Sequence, residues 1–203
     1  MEGATLWVRV GALFRYPDAG YLEVARQCHH AADATEPDTA APLARFLDQM
    51  ESLSTEAQQE LFTATFDLNP SCALEVGWHL FGENYERGAF LVKMRRQLMR
   101  FGLPDSGELP DHLSLILAVL GRMPAEEAEE FAGACLLPAL GKMRANLAGK
   151  SNPFESVLNA IMLLVEQRHG RLPGENPREA AALRAGNGRG ALCCSSWCFR
   201  TSS

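Results

Sequence analysis

Three titratable side chains, Glu108, Asp111 and His112, stand within five residues, around Leu109 and Pro110. Two carboxylates beside an imidazole form a polar spot that can hold an arginine or lysine of a partner through charge-assisted hydrogen bonds. The same residues suit a plainer role. Asp111 is placed to cap the helix predicted after it, and a helix N-terminus favours an ionised carboxylate there. Pro110 fixes the backbone between them. From the residues alone, a helix cap and a cation-binding edge both remain open.

Glu75 and His79 lie four apart, on one face of a predicted helix. Di-metal helical bundles use a Glu-x-x-His pair twice, with further glutamates. Here the spacing differs and no second copy exists. Cys193, Cys194 and Cys198 cluster near the C-terminus, but a closed zinc site needs four ligands and no nearby histidine completes this set. No glycine-rich phosphate loop and no nucleophile elbow is present. The sequence therefore asks for no enzymatic activity and no cofactor of its own. A metal-binding or enzymatic helical bundle using Glu75, His79 or His112 is the alternative reading. Trp78, Phe81 and Tyr85 precede a long basic helix. They either belong to the core or line a groove that receives a partner helix through apolar anchors.

The elements that must position these residues read as helices throughout. No segment shows sustained alternation of β-branched residues. Thr5–Tyr16 carries an apolar stripe and stops at Pro17. Helices follow over Tyr21–Ala34 and Pro42–Leu53, and Ser54 caps the next. Asn69–Pro70 restarts the chain as an N-cap and first helical residue. That helix carries Cys72, Val76 and Leu80 on one face and ends at Gly82. The longest spans Asn84–Phe101, with Gly102 at its C-terminal stop. A turn-rich stretch, Pro104–Pro110, leads to the helix after Asp111. Pro124 opens another helix, which Pro138 kinks or restarts. Asn152–Pro153 begins the last, ended by Gly170. The expected fold is all-α: a single-domain bundle of about eight to ten helices over residues 1–170, with a flexible tail over 171–203.

The chain has 203 residues and a net charge of −6. That length fits one domain with a self-sufficient core. Nucleic-acid binders usually carry a basic face, so an acidic chain makes that role a minor alternative, resting on Lys93–Arg100. The acidity is local. Between Leu103 and Cys135 stand seven carboxylates and one basic residue, Arg122, while charges elsewhere cancel. A field of one sign attracts the other, which points to a basic peptide as partner. The four glutamates at 126, 127, 129 and 130 also fit the solvated first turn of a helix. No apolar stretch approaches the ~20 residues that cross a bilayer. Cys28, Cys72 and Cys135 stand singly in apolar patterns, as reduced core thiols do, and the cytoplasm is the expected compartment.

Several of these segments, taken in order, resemble a known family. They are Leu13 to Asp18, Phe66-Asp67-Leu68, Leu80-Phe81-Gly82-Glu83, Glu86-Arg87-Gly88, Gly102, Glu108-Leu109-Pro110-Asp111-His112-Leu113 and Asn152-Pro153-Phe154 with Val157-Leu158. The chain resembles the nitrate reductase molybdenum cofactor assembly chaperones, the NarJ-type delta-subunit branch of the TorD-like redox-enzyme maturation chaperones, over about residues 5–168. The resemblance implies a non-enzymatic helical protein, monomer or dimer. Such a protein binds the apo catalytic subunit of a molybdoenzyme, including its N-terminal, twin-arginine-like segment, and holds it competent for insertion of the molybdenum cofactor. It implies client-binding roles for Glu108, Pro110, Asp111 and His112, and for Trp78, Leu80, Phe81 and Tyr85. One departure stands out. The family motif often continues with a glutamate where this chain has Ala118, so no carboxylate role carries over to that position.

Overall fold

Prolines, glycines and polar caps divide the chain into helices, and the apolar stripes between them decide how those helices pack. The computed structural model describes residues 2–104 and 106–169. Asp105, the boundary at 170, and the tail with its three cysteines lie outside the described residues. Ten α-helices form among the described residues: α1 (Glu2–Ala12), α2 (Tyr21–Thr35), α3 (Pro37–Glu51), α4 (Thr55–Phe62), α5 (Val76–Phe81), α6 (Tyr85–Arg100), α7 (Leu113–Leu120), α8 (Ala125–Phe131), α9 (Leu137–Leu147) and α10 (Phe154–His169). There is no β-strand among them. Nor is any described helix long and apolar enough to cross a membrane.

The predicted caps hold at two key points. Ser54 Oγ accepts a hydrogen bond from the Ala57 amide at 3.2 Å, and Asn152 Oδ1 accepts from the Phe154 amide at 2.9 Å. Each satisfies an amide that has no partner within its own helix. Pro124 precedes α8 as expected. Pro138 does not break the helical run: a turn of π-helix, Ala132–Leu136, joins α8 directly to α9, and the proline falls at the second residue of α9, just past this irregular turn.

α10 packs on α3 and α9, α2 packs on α3, and α1 lies across α7. At the centre, Phe14, Phe46, Phe62, Phe66 and Phe154 form an aromatic cluster. Phe66 and Phe154 meet edge-on with centroids 4.8 Å apart, and Phe62 and Phe66 at 5.0 Å. Such pairs contribute about 0.5–1.5 kcal/mol each beyond the area they bury. α7 is buried nearly all round, through Leu113, Ile116, Leu117, Val119 and Leu120, as a helix without a polar face must be. Gly11 allows α1 to come this close, because a Cβ there would stand 3.1 Å from the Ser114 carbonyl oxygen.

Three expectations are corrected. α1 ends at Ala12, leaving Leu13–Tyr16 in the turn before Pro17. The helix predicted from Pro70 to Gly82 is broken. A 3-10 turn, Pro70–Cys72, gives way to extended backbone before α5 begins at Val76. Cys28 and Cys72 are buried free thiols, whereas Cys135, also buried, is disulfide-bonded.

Candidate functional site

The break before α5 creates the central feature of the molecule. Residues 74–76 run antiparallel to 111–113. The Val76 amide donates to the Asp111 carbonyl at 2.9 Å, and the Leu113 amide donates to the Leu74 carbonyl at 2.8 Å. Glu75 and His112 face each other across this bridge. Two segments distant in sequence are thereby joined where α5 and α7 both begin.

Asp111 is fully buried at this junction. Its Oδ2 accepts from the Gly77 amide at 3.1 Å, so its side chain caps α5 across the bridge. The expected cap of its own helix is corrected. His112 is the N-cap of α7, with Nδ1 accepting from the Ser114 amide at 3.3 Å and lying 2.8 Å from the Ser114 hydroxyl. Arg87, on α6, lies beside the buried carboxylate, its Nε 3.8 Å from Oδ2. Burial pushes the Asp111 carboxyl above its ordinary range, and Arg87 only partly opposes this. Burial holds the His112 imidazole below its ordinary range. Glu108 and Glu75 pull it back up, and Arg15 pushes it further down.

A groove of about 1210 Å³ opens beside this junction. One wall is the end of α1 and the turn after it, with Phe14, Arg15 and Tyr16. A second comes from Phe62 at the end of α4 and from Phe66 and Asp67 in the π-helical turn that follows it, Thr63–Asp67. The third is Glu75 and Trp78 with Arg87, and the fourth is Leu103, Pro104, Ser106 and Glu108 with His112, Ala118 and Arg122.

The residues singled out from the sequence divide sharply. Glu108, His112 and Trp78 line the groove. Trp78 is steadied by its Nε1, which donates to the Pro70 carbonyl at 2.9 Å. Pro110 and Asp111 are buried behind the groove wall. Leu80 and Phe81 are half-buried against the core, with Phe81 tilted on Phe90 at 5.6 Å. Tyr85 is 92% exposed at the start of α6, away from the groove lining. The three aromatics close in sequence thus separate: Trp78 lines the groove, Phe81 packs on Phe90, and Tyr85 follows the turn at Gly82, whose φ of 59° suits glycine.

The charge pattern also differs from expectation. The groove carries Asp67, Glu75 and Glu108 but also Arg15, Arg87 and Arg122. Of the described acidic residues between 103 and 135, only Glu108 lines it. Glu126 and Glu127 occupy the first turn of α8, and Glu127 pairs with Arg100 at 2.8 Å. Glu75 and His79 do not share a helical face, since Glu75 precedes α5 in extended backbone. His79 Nε2 lies 2.7 Å from the Ala73 carbonyl. No group of three His, Cys, Asp or Glu among the described residues is placed to hold a metal ion.

Sequence reasoning missed Arg15, Tyr16, Asp67, Arg87 and Arg122 as groove residues. Arg87 and Asp67 sit inside quoted motif segments, but nothing local marks them as facing one cavity. Ala118, the position of the absent glutamate, lies in the groove, and Arg122 donates to its carbonyl at 2.9 Å.

The model of the family described as nitrate reductase delta subunit matches residues 30–154. The chain is 28% identical over 161 residues to the nitrate reductase molybdenum cofactor assembly chaperone NarJ of Escherichia coli (strain K12), covering 77% of this chain and 68% of that protein. It is 27% identical over 157 residues to the probable nitrate reductase molybdenum cofactor assembly chaperone NarW of the same strain, covering 76% and 65%. The matched span holds the bridge between α5 and α7, Asp111 with its partners, and three of the groove's four walls. The chain belongs to the nitrate reductase delta subunit family.

Proposed function

We propose that this protein is an assembly chaperone for a molybdoenzyme such as nitrate reductase. It binds the apo catalytic subunit in the cytoplasm through that subunit's N-terminal, targeting-like segment and keeps it competent to receive the molybdenum cofactor. The names of its relatives support the class of function. The supporting observation in the molecule is the groove. Asp67, Glu75 and Glu108 line it without a salt-bridge partner among the described residues, beside the accessible rings of Tyr16 and Trp78. Unpaired carboxylates next to aromatic faces suit a segment that is both basic and apolar. Ordering a free peptide costs free energy and exposed charge pairs are screened by salt, so binding is of moderate affinity and weakens with ionic strength.

The role is tested in the host by deleting the gene and measuring molybdenum per catalytic subunit of the client enzyme. The reading expects cofactor-poor enzyme, restored by complementation. Full molybdenum content in the deletion strain would refute it.

A further inference from the structure

The groove holds one cation whose setting differs from the others. Arg87 lines it with its guanidinium 5.6 Å over the Trp78 ring centre. Behind it stands the wholly buried Asp111, its Oδ2 3.8 Å from Arg87 Nε. That distance is an ion pair but too long for a hydrogen bond. Arg87 Nε and Asp111 Oδ1 are both buried without a hydrogen-bond partner in the structure. The two Nη groups of Arg87 make no hydrogen bond among the described residues, and the side chain keeps 23% of its surface exposed. Asp111 is itself fixed, through Oδ2 on the Gly77 amide and its carbonyl on the Val76 amide. A guanidinium held between an aromatic face and a rigid buried carboxylate, with its outer donors unused, is prearranged to bind an oxygen acceptor.

We propose that Arg87 is a client-binding residue that donates to an oxygen acceptor of the bound segment, and that Asp111 is a positioning residue that acts through Arg87 without touching the client. This rests on the chaperone reading above. It assigns the groove two complementary tasks. Glu75 and Glu108 receive the basic groups of the segment, while Arg87 takes an acceptor beside them. The acceptor is either a side-chain carboxylate or a main-chain carbonyl, and both present the same oxygen chemistry to the guanidinium fork.

The test uses the full chain and a synthetic peptide of the N-terminal segment of the host's nitrate reductase catalytic subunit, with affinity read by titration calorimetry. Arg87→Gln should weaken binding about tenfold, the scale of one charged hydrogen bond. Arg87→Lys keeps the positive charge beside Asp111, and with it the fold, but removes the planar fork. It should weaken binding several-fold. Asp111→Asn retains an acceptor for the Gly77 amide, and its effect should vanish in the Arg87→Gln background. A peptide with its Asp and Glu replaced by Asn and Gln separates the two acceptors. Loss of the Arg87 effect with that peptide identifies a carboxylate, and persistence identifies a main-chain carbonyl. Wild-type affinity in both Arg87 variants would overturn the proposal. Additive losses from Asp111→Asn and Arg87→Gln would overturn the positioning role. A wild-type protein that does not bind the peptide would overturn the chaperone reading itself, and this inference with it.

Discussion

A Cβ added at Gly77 would lie 2.7 Å from Oδ2 of Asp111 and 2.9 Å from the Phe90 ring. The first turn of α5 and the residue before the α7 N-cap are thus in contact with no space between them. Gly77→Ala is expected to destabilise the protein by about 1–3 kcal/mol, as overpacking does where neither neighbour can retreat. Phe90 is fully buried and Asp111 is tied to two amides, so neither moves freely. Denaturant unfolding of the variant measures this, and unchanged stability would mean that the junction is softer than described.

The Asp111 carboxyl has a raised pKa in the folded protein, because burial outweighs the help from Arg87. The folded state therefore holds this proton more tightly than the unfolded chain does. The contribution of the group to stability is greatest below its ordinary value of 3.8 and shrinks as pH rises through the raised value. Asp111→Asn should remove that dependence. The stability difference between wild type and variant should shift in favour of the variant as pH rises above about 4. A difference that is flat across this range would contradict the assignment.

His112 behaves in the opposite sense. Burial keeps its folded pKa below the ordinary 6.5, with Glu108 and Glu75 opposing the shift and Arg15 reinforcing it. Its stabilising contribution is complete above pH 6.5 and is lost as pH falls through the lowered value. His79 and His169 are shifted the same way by burial. The melting temperature should fall as the protein is brought from about pH 7.5 to 5.5. His112→Asn, which keeps a cap acceptor but cannot titrate, should reduce the slope.

Phe154 is fully buried at the start of α10, within 6 Å of the rings of Phe46, Phe62 and Phe66. Phe154→Ala should cost about 3–5 kcal/mol, the range for a large aromatic lost from a packed core. Thermal or denaturant unfolding reads this directly. A loss below about 1 kcal/mol would show that the cluster collapses around the gap.

The helices were legible because their signals are local. Ser54 and Asn152 are caps, Pro124 is a start, and Gly82 and Gly102 are left-handed stops, with φ of 59° and 61°. Each acts through neighbours within a turn of the chain. The site was legible only in part. Asp111 has the right chemistry to cap α7, yet caps α5 because the Val76 and Leu113 amides join segments some 35 residues apart, and no periodicity records that pairing. The same junction explains why the 70–82 helix breaks, and why Trp78 faces the groove while Phe81 packs on Phe90. Glu108 and His112 were found because their motif is contiguous. Arg15, Asp67 and Arg87 were not, because only packing brings them to one cavity.

If the groove carboxylates receive a basic client segment, removing their charge weakens its binding. Titration of the N-terminal peptide of the host's nitrate reductase catalytic subunit into wild type and a Glu75→Gln, Glu108→Gln double variant, at low and physiological salt, measures this. The chaperone reading predicts binding that weakens at least several-fold in the variant and loses much of its salt dependence, with the melting temperature little changed since both side chains line open space. Equal affinity and equal salt dependence in the two proteins would contradict it.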